Sequence, residues 1–407
     1  MSLFPVSDAL ARLLAAAKAP QIVETVGLHE GMGRVLAADL AANLTHPAFD
    51  NSAMDGYAGR HADFATVGTE LTVIGQSAAG HGFSDTVGPG EVVRIFTGAP
   101  LPTGADTVLI QEDAEMLEGG RIRTTFAPGE GRHIRRKGQD FNAGDVILRL
   151  GDVLDAGRLT VAAGMNVPEL PVYARPKVAI LATGDELLPP GSIPGPDQII
   201  ASNTYGVAAL ARDNGADIID LGIVRDDRDA IAAAVVKAQV AGADVLVTLG
   251  GASVGDHDLV QSTLIAGGMT LDFWRIAMRP GKPLMVGTLG GMQVLGLPGN
   301  PVSSLVCALL FLEPLVRQLS GLPARNRKAV ATTVDRLPAN DKRQDYVRGR
   351  LTRDSAGGLS AHVFARQDSS MMQVFAQSDC LIVRQPYASE VNPGMPCDIL
   401  LLRDPAI

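Results

Sequence analysis

The 407-residue chain has little cysteine: only Cys307, Cys380 and Cys397. An odd, sparse set without CxxC spacing excludes a disulfide framework and argues against a zinc site. Cys307 lies in an apolar run and Cys380 begins a strand-like one, so both read as buried, inert thiols, which fits a reducing cytoplasm. Aromatics make up only 4% of the chain, so the cores must be aliphatic. Positive charge is also short, with 35 Lys and Arg against 44 Asp and Glu, a net charge of −9. That balance speaks against a general nucleic-acid binder, which needs clustered cations for phosphate. Long hydrophobic runs are lacking too. The longest, Leu305 to Val316, is short and contains Glu313 and Pro314, so no membrane-spanning helix is expected. The N-terminus, MSLFPVSDALARLLAAAK, lacks the basic start and long apolar stretch of a signal peptide. It reads as an amphipathic helix after Ser7.

Glycine (45) and proline (25) are plentiful, and without a collagen period they punctuate many short elements. From Lys177 to about Leu319, strands and helices alternate. Lys177–Thr183, Ala216–Val224, Asp244–Leu249, Phe273–Met278, Leu284–Gly287 and Gln293–Leu297 read as strands. Asn203–Asn214, Asp227–Ala241, a stretch from about Asp256, and Ser303–Leu319 read as helices. The expected fold class is α/β, with a mostly parallel sheet covered on both faces, spanning residues 174–323. Residues 46–138 read as a β-rich insertion, with runs at Leu71–Ile74, Val92–Phe96, Thr107–Gln111 and Arg121–Thr124. Residues 324–407 read as a second β module, with runs at Tyr346–Leu351, Leu359–Phe364, Cys380–Arg384 and Asp398–Leu402. Residues 1–45 and 139–173 are helical or mixed, compatible with one unit interrupted by the β insertion.

Ligands of open α/β sheets bind outside the carboxyl ends of the strands. The strand exits here carry Gly184-Asp185-Glu186, Arg225-Asp226-Asp227, the loop Gly250 to Asp258, Arg279-Pro280-Gly281-Lys282-Pro283 and Pro298-Gly299-Asn300-Pro301. Either Asp226 or Asp227 suits a helix cap, and Glu186 a solvated loop acid. The GGxSxG pattern of Gly250, Gly251, Ser253 and Gly255 bares backbone before a helix, which suits an anion. Lys282, between Gly281 and Pro283, sits on a stiff loop that suits a phosphate contact. His257 has no second histidine at ligand spacing and reads as an oriented loop residue. Acids beside anion-binding loops are what a magnesium–phosphate ligand requires. Three runs outside the α/β region stand out. FDNSAMDGYA at Phe49–Ala58 has an Asp-Gly turn signal, but its Phe49, Met54 and Tyr57 favour a packed loop. RIFTGAP places Thr97 on a Gly/Pro-rich bend. Arg132–Asp140 gathers Arg132, Arg135, Arg136 and Lys137 in an acidic protein, and a solvated face is the simpler account of it.

With FDNSAMDGYA, RIFTGAP, Arg135-x-x-Gly138-x-Asp140, ATGDEL, GGASVGDHD, MRPGKP and GLPGNPVSS in this order, the sequence resembles the molybdopterin molybdenumtransferase family, which includes the E domain of gephyrin. The resemblance implies four domains: 1–45 with 139–173, a β-rich 46–138, an α/β molybdopterin-binding 174–323, and a C-terminal β-barrel-like 324–407. It implies a cytoplasmic enzyme that inserts molybdenum from molybdate into adenylylated molybdopterin, with Mg²⁺ and release of AMP. The implied catalytic residues are Asp55, Thr97, Glu186, Asp226, Asp258, Arg279 and Lys282. Glu186, Asp226 and Asp258 would hold Mg²⁺. Ligand contacts would come from Gly250, Gly251, Ser253, Gly255, Arg275, Pro298, Gly299 and Asn300, with Arg348 and Ser369 in the tail. A homodimer with shared active sites is implied, as is transient contact with the molybdopterin adenylyltransferase and apo molybdoenzymes. No nucleic-acid or membrane partner is expected. Arg275 and Arg279 stand where some members have lysine, so a planar fork replaces a point charge. Asp368-Ser369 replaces the usual glycine-serine pair. The same loops leave two other readings open, a molybdopterin adenylyltransferase and a gephyrin-like binding scaffold.

Overall fold

The central aliphatic runs of the α/β region, Lys177–Thr183, Val245–Leu249 and Met292–Leu297, form strands buried on both faces. In the computed structural model, which describes residues 3–250 and 259–403, a six-stranded sheet runs in the order Asp217–Val224, Lys177–Thr183, Val245–Leu249, Met292–Leu297, Met285–Leu289, Thr270–Trp274. The first four strands are parallel, and each of the last two runs antiparallel to its neighbour. Successive side chains of a strand point to opposite faces. Val178, Ile180 and Ala182 thus enter one core with Phe311 and Leu315, and Ala179 and Leu181 enter another with Ile231 and Leu246. Parallel pairing needs helical crossovers. They include Asn203–Asp213, Arg228–Val240 and Leu259–Ala266.

The helical run Pro301–Leu319 is longer than expected and, by length and composition alone, apolar enough to cross a membrane. Its Val302, Val306, Phe311, Leu312 and Leu315 are fully buried, so its apolarity is that of a core helix. The Ala308–Leu312 turn is π-helical just before Pro314, which has no N–H to extend the regular ladder. Glu313 is 4% exposed and takes Arg327 in a two-pronged pair at 2.7 and 2.6 Å. This pair ties the helix to the strand that opens the C-terminal sheet. Glu313→Ala would leave the Arg327 charge unpaired, and we expect it to cost about 3–5 kcal/mol in denaturant unfolding.

The C-terminal sheet closes on itself. Its ring is Gln344–Arg353, Leu359–Val363, Lys328–Thr333, Pro396–Leu401, Cys380–Arg384 and back to Gln344–Arg353. The strand Lys328–Thr333 is additional to the runs expected from the sequence. The expected strand Phe273–Met278 is corrected: it is Thr270–Trp274, and Arg275 breaks it at φ 83°. The chain then adds Met278–Arg279 to the barrel, parallel to Gln344 and Asp345.

The first helix is Val6–Ala16, with Pro5 at its N-cap, while the Ser7 hydroxyl bonds Asp8 rather than capping. Val6, Ala9 and Leu13 join the core of the α/β region. Gln318 Nε2 satisfies the last-turn carbonyls of Leu14 and Ala17 at 2.8 and 3.0 Å. Residues 1–24 therefore pack with residues 173–407, not with the segment that follows them as the sequence suggested.

Residues 25–172 form the other compact unit. One of its cores draws Val26 and Leu36 together with Phe141, Leu154, Met165 and Leu170. Its six-stranded sheet runs Thr107–Ile110, Gly56–Gly59, Glu91–Ile95, Glu70–Ser77, Arg121–Thr124, Ala114–Leu117. Gly56–Gly59 and Ala114–Leu117 were not expected as strands. The Asp-Gly pair is not a solvated turn: Gly56 starts an inner strand, where a Cβ would lie 2.0 Å from the Leu109 carbonyl oxygen.

Candidate active site

The parallel strands deliver carboxylates to their exits. At the end of Lys177–Thr183, Gly184 is buried at φ 149°, and the Glu186 carboxylate folds against it so closely that a Cβ would sit 2.4 Å from Oε2. At the end of Asp217–Val224, the two adjacent acids separate in role. Asp227 caps the next helix, accepting from the Ala230 N–H at 2.8 Å. Asp226 is left outside that cap, and its N–H reaches Asp185 Oδ1 at 3.4 Å. Partial burial, then the charges of Asp185 and Glu186, push the Asp226 carboxyl above its ordinary range. Three acids thus accumulate negative charge at neighbouring strand ends.

The loops beside them are built on close backbone approach. Gly250, at φ 94°, could not carry a Cβ, which would meet the Thr183 carbonyl oxygen at 2.8 Å. Its N–H faces the Leu297 carbonyl at 3.4 Å. Pro298 is buried, while Gly299 and Asn300 are exposed. Asn203 Nδ2 anchors this loop through the Gly299 carbonyl at 2.7 Å. Lys282 is exposed, and its carbonyl accepts from the Ile276 N–H at 3.0 Å, closing the loop that holds it. Gly281 packs on buried Cys307, whose thiol burial pushes up. All three cysteines are buried and free.

A second group forms where the barrel meets these loops. Asn300 Nδ2 donates to Ser369 Oγ at 3.0 Å, and the Val302 N–H to the Ser369 carbonyl at 3.0 Å. Arg348 is 3% exposed. Gln367 clamps its backbone, accepting from the Arg348 N–H at 2.9 Å and donating to the Arg348 carbonyl at 3.0 Å. Burial lowers the Arg348 guanidinium to about 10, so it stays charged at neutral pH. Its Nε has no hydrogen-bond partner among the described residues. A cavity of about 470 Å³ opens here, lined among others by Arg279, Tyr346, Arg348, Phe364 and Arg384. Arg279 turns to the barrel and grips the Asp345 carboxylate with Nε and an Nη.

The unit of residues 25–172 pairs two expected site residues. The Thr97 N–H and hydroxyl both donate to Asp55 Oδ1, at 2.7 and 2.8 Å, and hold that carboxyl below its ordinary range. Arg94 lies 5.0 Å over the Tyr57 ring and bonds the Gly56 carbonyl at 3.3 Å, which steadies the turn. Asp50 accepts from Arg136 at 2.7 Å and from the Lys137 N–H at 2.8 Å, so the basic run is in part neutralised. Tyr57 is buried, but Phe49 and Met54 are 47% and 41% exposed, which corrects the expectation that all three pack.

The sequence did not single out Asn203, Asp345 or Gln367, and it weighed Asp185 only as part of a strand exit. Asp345 was visible as the acid just before the strand-like run Tyr346–Leu351 that carries Arg348. Gly251, Ser253, Gly255, His257 and Asp258 lie outside the described residues, so the GGASVG loop and the third expected metal ligand have no placement. Among the described residues no group of three or more His, Cys, Asp or Glu is arranged as a ready metal cage.

The fold defines a class, an α/β protein with a mostly parallel sheet that gathers carboxylates and close-approach glycine loops at the carboxyl ends of its strands, where open α/β sheets bind their ligands. Three family models match the chain in order: the MoeA N-terminal region (domain I and II) over residues 4–165, a probable molybdopterin binding domain over 179–318, and the MoeA C-terminal region (domain IV) over 330–402. A molybdopterin molybdenumtransferase of Haemophilus influenzae is 35% identical over 95% of this chain and 96% of its own length. One of Nostoc sp. is 39% identical over 81% of this chain and 78% of its own. A solved molybdopterin biosynthesis MoeA protein from Pyrococcus horikoshii is similar at 26% identity and a TM-score of 0.81, covering 98% of this chain and 100% of that one. The chain belongs to the molybdopterin molybdenumtransferase family.

Proposed function

We propose that this chain is a molybdopterin molybdenumtransferase that inserts molybdenum from molybdate into adenylylated molybdopterin and releases AMP, the final step of molybdenum cofactor biosynthesis. The observation that carries this is the cluster of Asp185, Glu186 and Asp226 beside the Gly250 turn, in the segment matched as molybdopterin-binding. The substrate is a phosphoanhydride and the co-substrate an oxyanion, so the site must manage negative charge on both. Partial burial and then the charges of Asp185 and Glu186 raise the Asp226 carboxyl, and such an acid cluster fits a hard divalent cation. Mg²⁺ commonly takes one or two carboxylates and leaves its other positions to water and phosphate oxygens, so a full protein cage is not required. Glu186 and Asp226, with Asp258, would hold it. When bound, Mg²⁺ offsets phosphate charge as the anhydride breaks.

The remaining roles fall to the chain's own groups. The bared backbone at Gly250, with Gly251, Ser253 and Gly255, seats the pterin phosphate. Lys282 and Arg275 neutralise charge at the loops. Arg348, charged and with an unmet Nε, receives oxyanion charge together with the outer edge of Arg279. Pro298, Gly299 and Asn300 shape the loop that Ser369 braces. The Asp55–Thr97 pair orients groups at the reacting centre. We further place the enzyme in a homodimer in which Asp55 and Thr97 of each chain serve the rim of the other. The buried free thiols support a cytoplasmic setting. We expect AMP release to need a divalent cation and to be stimulated by molybdate. Full-rate release in excess chelator would contradict the metal assignment.

A further inference from the structure

Of the arginines that line the cavity at the barrel seam, Arg279 and Arg348 are held in different ways. Arg348 donates from its two Nη groups only to backbone carbonyls, Tyr346 at 3.2 Å and Asp368 at 3.5 Å, and its buried Nε has no hydrogen-bond partner among the described residues. Arg279 is half exposed, yet its fork is filled. Nε donates to Asp345 Oδ1 at 2.7 Å, and an Nη donates to the other oxygen of the same carboxylate. Asp345 has a side chain only 8% exposed, and it stands opposite Arg279 in the parallel ladder, so the backbone itself fixes the pair. The other Nη lies 3.9 Å from Asp341, beyond hydrogen-bond reach. A guanidinium fork is a strong receptor for a tetrahedral oxyanion, because two parallel N–H groups meet two oxygens. A carboxylate seated in the fork takes those same two donors.

We propose that Asp345 is a specificity-determining residue: it occupies the fork of Arg279 as an internal anion and so keeps sulfate and phosphate from binding there in place of molybdate. This deepens the functional reading above and rests on it. With the fork filled, an incoming oxyanion meets the outer edge of Arg279 and the buried Arg348. Selection then depends on fit to the cavity rather than on charge alone, which is discrimination by an element built against the wrong ligand. Lysine at this position would have no fork to fill, so the device belongs to the arginine that this chain carries.

The test is calorimetric titration of sulfate and of molybdate into the full chain, without turnover. Asp345→Asn is expected to bind sulfate at least tenfold more tightly than the unsubstituted protein, and to lose discrimination between the two anions. A role in stability alone would weaken binding, not tighten it. Combining Asp345→Asn with Arg279→Lys should shrink the gain below threefold, because the fork is gone. If Asp345→Asn does not fold, Arg279→Lys alone decides: a change in sulfate affinity below threefold supports a fork already filled, and a tenfold loss overturns it. Unchanged or weaker sulfate binding by folded Asp345→Asn, or a full gain in the double variant, also overturns the proposal. Because these readouts need no pterin, they are separable from the functional reading, which fails instead if the unsubstituted enzyme releases no AMP in response to molybdate.

Discussion

Asp226→Asn should lose turnover about 100-fold or more, which corresponds to ~2.7 kcal/mol of transition-state stabilisation. Its stability should stay level or rise. The carboxylate is partly buried and is crowded by Asp185 and Glu186, so the folded protein holds its charge at a cost. Removing its charge relieves that cost, while the helix cap on Asp227 is untouched. A group that weakens the fold where it stands and is kept for chemistry shows this opposition between activity and stability. Single-turnover AMP release beside denaturant unfolding would check both halves. Near-normal AMP release by Asp226→Asn would remove this residue from the proposed metal site.

Mixing two dead proteins should restore activity. Asp55 and Thr97 are paired within residues 25–172, and the acids of the strand exits belong to the other compact unit. In the proposed homodimer, a two-fold axis gives two equivalent sites, each drawing on both chains. Asp55→Ala and Asp226→Ala proteins, each inactive alone, are combined and allowed to exchange subunits. A mixed dimer then carries one site with both lesions and one with neither. After random exchange of equal amounts, half of the dimers are mixed, so specific activity should return to about one quarter of that of the unsubstituted enzyme. If each site came from a single chain, every site would keep a lesion. Verified exchange without recovered activity would sink the shared site and leave the insertion chemistry standing.

The legible parts of the fold share a physical cause. Lys177–Thr183 and Val245–Leu249 are short aliphatic runs that stop at glycines, and local composition alone sets their limits. Gly56–Gly59 was hidden because its sequence, GYAG, has little strand propensity. It is a strand because its neighbours pass too close for any larger residue at Gly56. The strand near Phe273 was misplaced for a related reason. An apolar pattern runs on past Trp274, but the barrel claims Met278 and Arg279. The first helix was legible as a helix, but nothing local says which core receives Val6, Ala9 and Leu13. In the site, motif residues were visible one by one and their pairings were not. Asp55 and Thr97 are 42 positions apart, and Arg279 and Asp345 are 66 apart. The partition of Asp226 from Asp227 also needed the helix axis, because either acid suits a cap by sequence.

One assay tests molybdenum insertion at an adenylylated pterin directly. The purified chain is given adenylylated molybdopterin, Mg²⁺ and molybdate, and the mixture is scored both for AMP and for activation of an apo molybdoenzyme. AMP release coupled to activation, with no requirement for ATP, is the predicted result. Adenylylation of free molybdopterin from ATP would instead place the chain one step earlier. Binding of the pterin with neither AMP release nor activation would make it a scaffold, and either outcome would contradict the account.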